Sequence, residues 1–176
     1  MKNTILLSLF ALSLSLVACN KEEDPLRASE IVYKGQSYVL TKGSMYLMQE
    51  LPGDYYKMRL YLHDGRFNNI TGQINDASVI ISCNFASPDS SVIPEGLYLH
   101  TFDLDSNNYT QFKIQFMEDG DTTLFLSDDA GAIDVLSQEG NKYLLDIGYG
   151  TIQADSAEFN FDGEAHFRGH IRKYNF

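Results

Sequence analysis

Between Tyr55 and His63 the chain alternates with period two. Tyr56, Met58, Leu60 and Leu62 fall on one side, and Tyr55, Lys57, Arg59, Tyr61 and His63 on the other. That spacing puts successive side chains on opposite faces of a strand, whereas a helix needs 3.6. The segment therefore reads as a strand with one apolar face, ended by the turn signal Asp64-Gly65. Thr110 to Met117 repeats the pattern, with Phe112, Ile114 and Phe116 inward against Gln111, Lys113 and Gln115. So does Tyr143 to Tyr149, where Tyr143, Leu145, Ile147 and Tyr149 share a face.

Shorter runs fill the intervals. Ile31–Tyr33 and Ser37–Leu40 flank a Lys34-Gly35-Gln36 turn, and Met45–Met48 lies between Gly43 and Pro52-Gly53. Ile70–Ile74 and Ala77–Phe85 read as β-branched strands. A loop, 86–95, carries Pro88 and Pro94, and Gly96–His100 starts the next strand. Glu118-Asp119-Gly120-Asp121 turns the chain into Thr122–Ser127, and Gly131, Gly140 and Gly150 punctuate the segments that follow.

Near the C-terminus a hairpin is expected at Phe161-Asp162-Gly163. A two-residue loop would mix the faces. A three-residue loop with Gly163 in the left-handed position pairs Phe159 with Ala165, Glu158 with His166 and Ala157 with Phe167, keeping one face apolar. No stretch after residue 29 holds a helical period. The expected fold is all-β: a single antiparallel meander of about ten strands, closed as a lipocalin-like β-barrel or packed as a two-sheet sandwich, because a large open sheet leaves long unpaired edges.

The N-terminus is of a different kind. Met1-Lys2-Asn3 is followed by an apolar run, Thr4 to Val17, too short for the roughly 20 residues of a membrane span but of signal-peptide length. With Leu16-Val17-Ala18-Cys19 it resembles the bacterial lipoprotein signal. The resemblance implies cleavage before Cys19, a diacylglycerol thioether on its sulfur and an acyl chain, such as palmitate, on its amine. Two or more chains make a durable membrane anchor, at roughly 0.8 kcal/mol per buried methylene. Asn20 stands where an Asp would favour inner-membrane retention in many such lipoproteins, and the acidic run Lys21-Glu22-Glu23-Asp24 resembles the export signal of Bacteroidota surface lipoproteins, implying the cell outer membrane with the domain facing outward. The expected organisation is a removed signal peptide at 1–18, a tether at 19–29 and a β domain at 30–176.

A second resemblance spans most of the remaining chain. Tyr33-Lys34-Gly35-Gln36-Ser37-Tyr38, the Tyr55–Leu62 strand, Ile93-Pro94-Glu95-Gly96-Leu97-Tyr98, Phe161-Asp162-Gly163 and Arg168-Gly169-His170 are similar to a group of Bacteroidota lipoproteins of unknown function. The group is β-rich and often lipocalin-like. Leu97 stands where it often has Thr, and it supplies no functional residues.

Charge narrows the partners. Removing residues 1–18 from 176 leaves 158, enough for one domain with a sizeable core. Without Lys2, 12 basic residues stand against 24 acidic ones, a net of −12. Such a surface repels phosphate backbones, so nucleic acid is not an expected partner. With Cys19 lipidated, Cys83 has no disulfide partner and reads as a small buried hydrophobe.

No cofactor, metal or catalytic motif emerges. Asp103-Leu104-Asp105-Ser106-Asn107 opens like a calcium loop but has Asn108 and Ile114 where Gly and Glu are needed. Glu164, His166, Arg168 and His170 share a strand face, yet His166 and His170 would stand roughly 13 Å apart along it, too far for one zinc ion. Twenty-four acids offer many carboxylate pairs for glycan hydrolysis, and nothing selects one. The best contact face is Tyr55, Tyr61 and Arg59, beside Lys57 and His63. The expectation is a non-catalytic binding or accessory module for a glycan or protein partner, with a carrier of a small apolar ligand as the alternative within binding and a glycan hydrolase as the contrasting class.

Overall fold

The computed structural model describes residues 29–101, 104, 108–126, 131–154 and 160–174, with backbone alone for 125, 126, 149–154 and 160–162. The signal peptide, Cys19, most of the tether and Asp103, Asp105, Ser106 and Asn107 lie outside the described residues.

Among these residues there are thirteen strands and no helix. They are β1 (Glu30–Tyr33), β2 (Gln36–Val39), β3 (Lys42–Leu51), β4 (Tyr55–His63), β5 (Arg66–Asn68), β6 (Gln73–Asn75), β7 (Val79–Ser87), β8 (Gly96–His100), β9 (Asn108–Glu118), β10 (Asp121–Leu126), β11 (Gly131–Glu139), β12 (Lys142–Ala154) and β13 (Asn160–Tyr174). Eight of them form a closed ring in the order β12-β13-β3-β4-β7-β9-β8-β11, with β11 returning to β12. The fold is a closed lipocalin-like barrel, as expected, and not the sandwich; the expected all-antiparallel meander is corrected to a mixed ring, because β8 lies between β11 and β9 and β13 returns alongside β3. The ring is antiparallel except at β13–β3 and β8–β9, which are parallel.

The β13–β3 seam has a visible cause. Ile171 pairs with Gly43, and a Cβ on Gly43 would fall 2.5 Å from Ile171 Cγ1 and 3.1 Å from its Cα. Glycine lets the last strand approach β3 this closely.

Inward residues follow the period-two reading. Met58, Leu60 and Leu62 on β4, Phe112, Ile114 and Phe116 on β9, and Tyr143, Leu145 and Ile147 on β12 are all buried. Aromatic rings occupy much of the interior. Phe85 meets Tyr98 edge-on at 5.0 Å between centroids, and Tyr109 meets Phe112 at 6.1 Å. The buried Tyr98 hydroxyl donates to the Pro94 carbonyl (3.0 Å), and that of Tyr143 accepts from the Ile93 amide (3.1 Å). These bonds tie the 88–95 loop to the barrel, since a buried hydroxyl without a partner is costly. The β1–β2 ribbon pairs with β13 through Ile31 and Ala165 and stacks Tyr33 on Phe116 of β9 at 4.3 Å, so it reaches across from one strand to the other.

Two further expectations are corrected. Phe161-Asp162-Gly163 is not a turn: β13 runs through it and pairs with β12. Ala165 therefore faces Ile147, His166 faces Asp146 and Phe167 faces Leu145. The long apolar face of β12 supplies the same in-facing pattern that the proposed hairpin required, with many more ladder bonds. Ile70–Ile74 is also not one strand. Ile70 is 87 % exposed at the tip of the short β5–β6 hairpin. There the Asn68 side chain accepts the Ile70 and Thr71 amides at 2.9 and 3.2 Å, an Asx turn that outcompetes extension.

Candidate functional site

The β5–β6 hairpin is a flap over the outer face of the barrel. It leaves β4 at Asp64-Gly65 and returns at Ser78. The Asp64 carboxylate accepts the amides of Ser78 (2.9 Å) and Val79 (3.2 Å) and the Ser78 hydroxyl, closing the base of the flap. Lys42 Nζ donates to the carbonyls of Gly65 (2.7 Å) and Asp64 (3.3 Å). Gly65 is buried under this crossing. A Cβ there would lie 2.5 Å from the Asn75 carbonyl oxygen and 2.7 Å from Ala77 Cβ.

Register brings a set of outward side chains together beneath the flap. On β3 and β4, Lys42 faces His63, Ser44 faces Tyr61 and Tyr46 faces Arg59. On the parallel side, Arg172 faces Ser44 and Tyr174 faces Tyr46. Phe67 of the flap packs on Tyr174 at 4.4 Å and on Tyr61 at 6.2 Å, and Tyr61 lies 6.1 Å from Tyr46. Between them opens a cleft of about 330 Å³ lined by Lys42, Ser44, His63, Phe67, His170, Arg172 and Tyr174, among others. That is at the small end of ordinary ligand sites, which run from about 300 to 1,000 Å³.

His63 is only 1 % exposed despite standing on the outer face. Its Nε2 lies 3.0 Å from Ser44 Oγ, while Nδ1 has no hydrogen-bond partner of sound geometry. Burial, then the Lys42 charge, push its pKa down from 6.5 to about 4, against a smaller upward pull from the Gly65 backbone and Asp64. The ring is therefore neutral near pH 7.

The Ser44–His63 spacing is that of a nucleophile and its base. The electrostatics run the other way. A general base works best with a pKa near the operating pH, and among the described residues no carboxylate is bonded to Nδ1 to stabilise an imidazolium. Asp64, the nearest acid in sequence, is committed to the flap base.

Of the residues read from sequence as a contact face, Tyr61 borders the cleft. Burial and the neighbouring Tyr46 hydroxyl raise its pKa, opposed by Arg59. Arg59 sits one row away, where Nε donates to Asn84 Oδ1 (2.7 Å) and Nη2 to Gln111 Oε1 (3.1 Å); Asn84 in turn donates to the same Gln111 oxygen (2.8 Å). It is held by neutral amides, so its charge is not cancelled there. Tyr55 lies six residues along the strand from Tyr61, roughly 20 Å away, and is not brought to the cleft. Ser44, Phe67, Arg172 and Tyr174 were not legible as partners. The parallel seam and the flap bring them together, and neither leaves a local signal in the chain.

The Glu164–His170 face splits up. His166 Nδ1 lies 2.7 Å from Asp146 Oδ1, with Glu164 Oε2 3.7 Å from Nε2. His170 Nδ1 meets Asn141 Oδ1 at 3.0 Å. Among the described residues no group of three or more His, Cys, Asp or Glu side chains converges as a metal site. Cys83 is buried, and burial raises its thiol far above the ordinary value.

Comparison of the chain with protein-family models, with curated proteins and with solved structures finds no match. Fold and cleft together define a small, aromatic-filled β-barrel with a covered pocket on its outside wall.

Proposed function

We propose that this protein is a non-catalytic binding module of the outer membrane, anchored through acyl chains on Cys19 and facing the exterior, in the manner of the Bacteroidota lipoproteins its sequence resembles. Its ligand is a small polar solute, such as a glycan unit, held in the cleft beneath the β5–β6 flap. The observation that carries this reading is the cleft itself: apolar ring faces of Phe67 and Tyr174 set against the polar groups of Lys42, Ser44 and Arg172. Apolar walls with a few convergent polar groups are the usual composition of a small-molecule site.

The carrier alternative places an apolar ligand inside the barrel. Against it, Phe85, Tyr98, Tyr109, Phe112, Phe116 and Phe167 already fill much of that interior, each under 2 % exposed. The hydrolase reading needs two carboxylates flanking the scissile bond, and the residues lining this cleft include none.

Two experiments test the proposal separately. Cys19→Ser should abolish incorporation of labelled fatty acid and move the protein out of the membrane fraction; unchanged membrane attachment would remove the anchor. For the cleft, a panel of sugars and lipids is screened by thermal shift on the detergent-solubilised full chain, since a ligand specific to the folded state must raise Tm. Phe67→Ala should erase the shift. A shift that survives Phe67→Ala would place binding elsewhere.

A further inference from the structure

Charge on this chain is distributed against its average. The sequence holds 24 acidic and 13 basic residues, yet β3, β4, β7 and β9 together contain only two acids, Glu50 and Glu118, both at or next to strand ends. The same strands carry Lys42, Lys57, Arg59 and Lys113. The cleft is the extreme case: Lys42, Arg172 and His170 line it and no carboxylate does.

The cations are not neutralised by partners. Lys42 donates to two backbone carbonyls, and the carboxylate next in sequence, Asp64, is occupied by Ser78 and Val79. The Arg172 guanidinium makes no ion pair among the described residues. At the floor Ser44 Oγ and the neutral His63 ring form a polar pair of 3.0 Å. A positive, partly enclosed pocket on a strongly negative protein focuses an attractive field on one spot while the rest of the surface repels anions.

The walls select more than charge. Phe67 and Tyr174 pack on each other at 4.4 Å between ring centroids, inclined by 35°, and the ring surface this contact leaves uncovered lines the cleft beside the cations. An inorganic anion would use the cations and leave these faces idle.

We propose that the cleft recognises an acidic sugar unit: a pyranose whose carboxylate or sulfate is met by Arg172 and Lys42 while its C–H face lies against Phe67 and Tyr174. Ser44 is placed to bond a ring hydroxyl. This rests on the cleft being the binding site and adds the class of ligand.

The test titrates the full-length chain in non-ionic detergent at low ionic strength with glucuronate, glucose 6-sulfate, glucose and inorganic sulfate, by calorimetry and by NMR of the aromatic side chains. At least one acidic sugar should bind ten-fold or more tighter than glucose and than inorganic sulfate. The pair of acids tells which oxyanion is preferred. Arg172→Gln should weaken the acidic sugar roughly 10- to 100-fold, the scale of one charge-assisted hydrogen bond, and weaken any glucose binding by a clearly smaller factor, so that the preference for the acid narrows; an equal loss for both sugars would remove Arg172 as the acid-recognising group. Because Lys42 also braces the flap, Arg172→Gln is the cleaner variant.

Glucose binding as tightly as glucuronate, with Phe67 and Tyr174 resonances moving, would overturn the acidic class while leaving the cleft as the site. Inorganic sulfate matching the acidic sugars would remove the sugar from the proposal. Silence of all cleft resonances under every ligand would overturn both this inference and the binding reading beneath it.

Discussion

Acidification should destabilise this protein through one buried ring. His63 is neutral in the folded state, with a pKa of about 4 against 6.5 when exposed, chiefly because burial disfavours the imidazolium and secondarily because Lys42 stands beside it. The other charge acting on it is Asp64, next to it in sequence, while His170 and Arg172 of β13 line the same cleft. A proton that the unfolded chain takes up but the folded chain refuses favours unfolding. The stability is therefore complete above pH 6.5 and drains away as pH falls towards 4. The interval between the two values, at 1.36 kcal/mol per pKa unit, sets a ceiling of about 3 kcal/mol. Between pH 7 and pH 5 the expected loss is about 1.5 to 2 kcal/mol, or a Tm drop of roughly 3–8 °C for a domain of this size. The assay is chemical or thermal unfolding at pH 7, 6 and 5 for the wild-type chain and for His63→Gln. Every other titrating group is common to both, so the difference in pH slope belongs to His63. His63→Gln should be flatter by that amount, and the His63 ring signal in NMR should stay that of a neutral ring at pH 5. Parallel slopes for the two proteins, or a ring that titrates near 6.5, would refute the argument.

Other outcomes follow from the same packing. Gly65→Ala has no room for its methyl beside Asn75 and Ala77, so it should lift the flap, cost on the order of 1–3 kcal/mol in stability and speed amide exchange across β5 and β6; unaltered exchange there would show that the hinge tolerates a side chain. Cys83 should resist a thiol reagent at pH 8 in the folded protein and react at once in denaturant, and prompt labelling under native conditions would contradict its burial. Phe85→Ala removes a ring packed on Tyr98 and Tyr109 and should cost about 3–5 kcal/mol by denaturant unfolding; a loss under 1 kcal/mol would mean the barrel interior is not packed as described.

The inward faces of β4, β9 and β12 were legible because period two states which side chains a strand hides. Turns were legible where the backbone demands unusual residues. Lys34-Gly35 and Asp119-Gly120 do adopt positive φ, at 50° and 77° and at 52° and 90°. The same turn logic failed at Asp162-Gly163, because Gly163 pairs with Tyr149 in a long ladder and the tertiary partner outweighs the local preference. Alternation also says nothing about whether an outward face meets water. His63 reads like Lys57 in the sequence, yet it is buried where the fifteen-residue excursion from Asp64 to Ser78 folds back beside it. The site was least legible where it depends on β13 lying parallel to β3: Arg172 and Ser44 are 128 positions apart, and Gly43, the residue that permits the approach, looks like a simple strand boundary.

On the proposed reading, ligand binds outside the barrel wall, beneath the flap, and not within the barrel. Intermolecular NOEs between a bound glucuronate and the protein test this most directly. Cross-peaks are expected from the sugar ring protons to the rings of Phe67 and Tyr174. Cross-peaks to Phe85, Phe112 or Phe116 instead would put the ligand inside the barrel and contradict it.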